Sequence, residues 1–172
     1  IEKLLGISKL PKSFAEKAKS VRLNSTSCQV YIGLKKGCVI PDVGDLIFTS
    51  ESPSFSTEEL TSFNTTSRTF SVYYPDTRPE RKDPRYSIVA SINAKWKDWQ
   101  SLTDEQYSKE KNRLCEESVT ALEKIIPDVR DKIDHLEAAT PRTIQYYTQH
   151  ASGASFGTKF EGLDVSSQLP DH

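Results

Sequence analysis

Residues Arg68–Asn93, RTFSVYYPDTRPERKDPRYSIVASIN, hold the pattern on which the fold turns. Phe70, Val72 and Tyr74 alternate with Thr69, Ser71 and Tyr73, and Tyr86, Ile88, Ala90 and Ile92 then share one face of Arg85–Asn93. A two-residue period is the mark of half-buried strands. The charged, proline-rich Pro75–Pro84 between them has the composition of a hairpin connection. Upstream, Ser27–Lys36 repeats the pattern, with Cys28, Val30, Ile32 and Leu34 on one side and Gln29 and Tyr31 on the other. Asp45–Ser50 is a shorter fourth candidate. Strands joined by hairpin-type links predict an antiparallel sheet with one packed and one polar face.

The rest of the chain reads as loop and helix. More than half of Thr49–Ser71 is Ser or Thr, which predicts a surface loop with one helical turn at Ser56–Leu60. Ser13–Ser20 is a short helix with Ser13 and Glu16 as a capping box. A second box, Thr103 with Gln106, opens a long helix over Asp104–Ile126, with Leu114, Ala121, Leu122, Ile125 and Ile126 in its apolar stripe and Pro127 as its stop. Val129, Ile133 and Leu136, at i, i+4 and i+7, predict another amphipathic helix. Thr140-Pro141 is an N-cap followed by proline at the first helical position, starting a helix through about Thr148. The sum is an α+β domain spanning residues 1–172: an antiparallel sheet of about four to six strands covered by helices on one face.

Composition removes several function classes. With 23 basic and 24 acidic residues and a net charge of −1, there is no basic field for nucleic acid. Mean hydropathy is −0.57 and no apolar run approaches a membrane span. The run at Ile1–Leu10 is too short, and too broken by Lys3 and Lys9, for a signal peptide. Three cysteines without C-x-x-C spacing predict reduced, buried thiols and a cytoplasmic setting. The apolar fraction is 35%, which implies a lean core. Methionine is absent altogether. Together these predict an excerpt from a longer polypeptide.

Standard chemical motifs are missing too: no P-loop, no G-x-G-x-x-G after a strand, no G-x-S-x-G and no H-E-x-x-H. Asp128, Asp131, Asp134 and Glu137 recur every three residues, as a solvated helix face would. Trp96 and Trp99 are expected to pack under the long helix. Phe70, Tyr73, Tyr74 and Tyr86 read as core or cross-strand pairs, an apolar ligand on that face would use the same residues, and composition leaves both open. The densest signal is Ala138–Leu163, with Thr140, Arg142, Tyr146, Tyr147, His150, Gly153, Ser155, Phe156, Gly157 and Gly162 in one run. Glycines at that density permit positive φ and close backbone approach to a flat ligand. A helix cap followed by an ordinary glycine turn fits equally well.

That run, ATPRTIQYYTQHASGASFGTKFEGL (Ala139–Leu163), resembles the segment before the last flavin-binding motif of phytoene desaturase-related proteins, which include carotenoid desaturases, carotenoid isomerases and retinol saturase. The shared pattern is Thr140, Pro141, Thr143, then Tyr146 or Tyr147, then Gly153 and Gly157. Ile1–Gly6, Leu10–Phe14 and Asp45–Phe48 are similar to the same family, so the likeness covers essentially the whole chain. One departure is Gln145-Tyr146-Tyr147, where several relatives carry an Arg.

The resemblance implies the substrate-binding domain of a two-domain, FAD-dependent oxidoreductase whose flavin-binding segments lie outside this chain. Its substrate would be a hydrophobic carotenoid or other isoprenoid, changed by hydride transfer or double-bond isomerisation. The partners implied are that substrate and the FAD domain of the same parent chain, with peripheral membrane association open to the parent enzyme. Residues beside cofactor or substrate would be Arg142, Tyr146, Tyr147, His150, Gly153, Ser155, Phe156 and Gly157, with an apolar substrate wall from Val72, Tyr74, Ile88 and Ala90, and no catalytic or metal-binding residue is assigned. Two other readings stand beside it: a non-catalytic ligand-binding or assembly module, and an amine-oxidase-type flavoprotein with a polar substrate.

Overall fold

The computed structural model describes residue 6 and residues 9–20, 22–77 and 85–156. In chain order these form α1 (Lys12–Ser20), β1 (Thr26–Leu34), β2 (Leu46–Thr49), α2 (Thr57–Leu60), β3 (Arg68–Tyr73), β4 (Ser87–Ala94), α3 (Trp96–Gln100), α4 (Asp104–Glu123), α5 (Val129–Lys132), β5 (Ile133–Ala139) and α6 (Pro141–Thr148). The five strands make one open sheet in the order β2-β3-β4-β1-β5, antiparallel throughout. The α+β architecture expected from the alternating runs is the one observed. Most of the Pro75–Pro84 connection lies outside the described residues.

Register explains how a lean composition fills a core. Val30 lies opposite Ala90 on one side and Ala138 on the other, and Phe70 also faces Ala90, so large side chains border small ones across the row. In the next row Val72, Ile88, Ile32 and Leu136 stand side by side. The long helix α4 lays Leu114, Cys115, Ser118, Val119 and Leu122 on this face. Full burial of one such aliphatic side chain stabilises by roughly 1.5–3 kcal/mol. Trp99 is buried here as expected, edge-on to Phe63 and Tyr107.

Two of the three predicted helix starts carry their caps; the remaining helix, α1, already begins at Lys12, which puts Ser13 inside its first turn and not at the N-cap. The Gln106 amide donates to the Thr103 hydroxyl (3.2 Å) and the Gln106 side chain accepts from the Thr103 amide (3.0 Å). At α6, Thr140 and Thr143 form the equivalent box. The Tyr107 hydroxyl lies 2.9 Å from the Thr140 hydroxyl and 3.2 Å from that of Thr143, so α4 and α6 are tied at their first turns.

One predicted element is wrong. The helix expected from Val129, Ile133 and Leu136 is only the single turn α5, and the chain from Ile133 onward is strand β5. Gly33 pairs with His135 and Leu34 with Ile133, so Asp134 is an extra residue in a β-bulge. The bulge lets Ile133 and Leu136 lie on the packed face although they are three positions apart, and that spacing imitates a helix. Asp128, Asp131, Asp134 and Glu137 therefore do not share a helix face; the last two stand on β5, and Asp134 accepts from Arg85 at 2.5 Å.

Candidate functional site

The residues singled out in Ala138–Leu163 separate into three groups. Gly153 is buried, while Ser155 is exposed and only its hydroxyl reaches inward. Gly153 has φ +55°, and a Cβ there would stand 2.2 Å from the Pro141 carbonyl oxygen. Its own carbonyl accepts from the buried Thr26 hydroxyl, and the Ser155 hydroxyl lies 3.2 Å from that of Ser27. The close approach that glycine permits is thus made to the chain's own backbone, holding the segment after α6 against the start of β1.

Arg142 is an anchor. Its guanidinium donates to the Leu102 carbonyl (3.2 Å) and the Asp104 carboxylate (3.4 Å), and sits 4.3 Å from the Tyr107 ring centre. The third group faces outward: Tyr146 and Tyr147 are 72% and 79% exposed, their rings edge to face at 5.0 Å. His150 and Phe156 are exposed as well. Gly157 lies outside the described residues. Helical spacing places Arg142, Gln145, Tyr146 and Gln149 along one side of α6, facing Trp96 and Gln100 of α3 across an open groove of about 490 Å³.

The wall set belongs to the core. Val72, Ile88 and Ala90 are buried under α4, while Tyr74 is half-buried, its hydroxyl accepting from the Val43 amide at 2.9 Å. The surface that stays open is the other face of the same sheet. There Leu46, Ser71, Val89, Tyr31 and Glu137 form one row, and Phe48, Thr69, Ser91, Gln29 and Ala139 the next. Leu46 is 70% exposed and Phe48 51%, with Phe55 edge-on to Phe48 at 5.7 Å; Tyr31 and Tyr73 are exposed on the same side. The middle is flat because its side chains are small. Sequence reading missed this face by following the stronger apolar alternation, which marks the core. The weaker signal was there: Leu46, Phe48, Tyr31 and Tyr73 all fall on the opposite phase.

A buried cation was also missed. Arg68, 3% exposed, donates to the Ser118 hydroxyl (3.2 Å), the Thr66 carbonyl (3.0 Å) and the Glu117 carboxylate (2.6 Å). It borders a cavity of about 500 Å³ between β2 and α4, where Lys124 pairs with Glu51. That pairing holds the Glu51 carboxyl below its ordinary range. Burial pushes the Cys28 and Cys115 thiols up, which keeps them protonated and unreactive. All three cysteines are free.

Among the described residues no group of three or more His, Cys, Asp or Glu could hold a metal, and no helix is long and apolar enough to cross a membrane. No family model matches the chain, and no curated protein matches it in sequence.

Proposed function

We propose that this chain is the substrate-binding domain of an FAD-dependent oxidoreductase of the phytoene desaturase-related kind, acting on a hydrophobic, isoprenoid-type substrate. The observation that carries the reading is the sheet with two unlike faces. One is closed by the chain's own helices; the other sets Leu46, Phe48 and Tyr31 in the open around a flat centre of Ser71, Ser91 and Thr69. Exposed apolar side chains grouped on one face mark an interaction surface. A flat face with apolar posts suits an extended hydrocarbon, which needs burial and alignment rather than charge.

The described residues offer no phosphate cradle, so the flavin would be held by segments outside them, and this domain would form one wall over it. Bound flavin supplies the hydride chemistry. That division of labour accounts for a surface without a general acid or base: Leu46, Phe48 and Tyr31 would exclude water and orient the substrate. The test is turnover of phytoene or lycopene by the FAD-loaded parent polypeptide proposed to carry this domain. Phe48→Ser and Leu46→Ser are expected to lower kcat/KM about tenfold with flavin content unchanged, since each removes a contact worth ~1.5 kcal/mol or more. Unchanged turnover in both variants contradicts the assignment of this face.

A second reading, an assembly module without redox chemistry, is favoured by the Tyr146–Tyr147 pair. Two adjacent tyrosines that exposed are suited to a protein partner. Flavin in the full chain separates the two.

A further inference from the structure

We propose that the groove between α3 and α6 is a binding site for a neutral, hydroxyl-rich ligand, a saccharide of one or two rings. It is carried by Trp96 and Gln100 on one helix and Arg142, Gln145, Tyr146 and Gln149 on the other. Its volume of about 490 Å³ falls within the roughly 300–1,000 Å³ of small-ligand sites.

The lining selects the chemistry. An indole and a phenol on opposite helices offer flat apolar surfaces, and a sugar ring presents a flat face of C–H groups to such surfaces. Sugar hydroxyls donate and accept at once, so they need partners that do both. Carboxamides do, and Gln100 and Gln145 stand on opposite sides among the described lining residues. Charge argues against other ligands. Among the described residues no carboxylate lines the groove to hold a cation. Arg142, the cation among those residues, is shared with Asp104 and the Leu102 carbonyl and seated on Tyr107, so it offers little to an anion. Gln149 is held at the rim, its side-chain amide donating to the Tyr146 carbonyl at 2.8 Å.

The site lies on the helices and does not depend on the flavin reading; a colourless protein leaves it standing. The experiment is saturation-transfer NMR on the full chain with maltose, cellobiose, lactose and diacetylchitobiose as probes. Transfer to at least one disaccharide is expected, weakened tenfold or more by Trp96→Ala and by Gln145→Leu, and unchanged by Glu58→Gln on α2. Gln145→Leu, nearly isosteric and only half-buried, keeps the test valid where Trp96→Ala lowers stability. No transfer to any of the four sugars, or equal transfer in both groove variants, overturns the proposal. Binding of adenosine or inorganic phosphate instead of the sugars overturns it as well.

Discussion

Gly153 shows how a single residue was legible in kind but not in role. Glycine density predicted close backbone approach, and the approach exists, but its partner is Pro141 of the same chain. No periodicity or motif reveals which backbone a glycine will meet. Gly153→Ala combines positive φ with a contact too short for any Cβ, so a loss of about 2–4 kcal/mol is expected in denaturant unfolding. The cysteines give a second prediction at this scale. Cys28 and Cys115 are buried and Cys38 half-exposed, so iodoacetamide should modify Cys38 first in the native protein and reach the others only on unfolding. The sign of the pH effect follows. The Cys28 thiol ionises near 9.0 when ordinary and higher when buried, so above that value unfolding releases a proton and stability falls as pH rises. A Cys28→Ala variant should show a shallower alkaline decline in Tm.

Among the elements, strands with clean alternation and helices with caps were readable, because local sequence alone fixes both signals. β5 was not. Its bulge at Asp134 converts a two-residue period into an apparent helical one, and only pairing with β1 resolves the ambiguity. Arg68 was hidden for the same reason. Its position on β3 faces the core, yet its partners Glu117 and Ser118 sit 49 and 50 residues away on α4. Arg68→Ala should cost ~3 kcal/mol, because it empties a buried site and strips the partners of their donor. Arg68→Lys should recover only part, since an ammonium cannot reproduce the guanidinium fork across three acceptors. Glu117→Gln should cost less, as that carboxylate is nearer solvent. Leu122→Ala, at the centre of the helix–sheet contact, is expected to cost about 2–5 kcal/mol.

For the molecule as a whole, the sheet divides the chain's surface into a finished and an unfinished half. Composition foretold a lean core, and the structure gathers that core on one face of the sheet while leaving several large apolar side chains exposed. Alternation marks the packed face by its stronger apolar phase, but only strand pairing shows that Leu46, Phe48, Tyr31 and Tyr73 gather on the other one. The open side carries Leu46, Phe48, Tyr31 and Tyr73, and we propose that substrate and flavin lie over it. The most direct measurement is the visible absorption spectrum of the parent polypeptide proposed to carry this domain, purified under native conditions without added cofactor. The account predicts flavin bands that bleach on reduction and shift when phytoene or lycopene is added. A colourless protein that takes up no FAD would contradict it and give the open face to a protein partner.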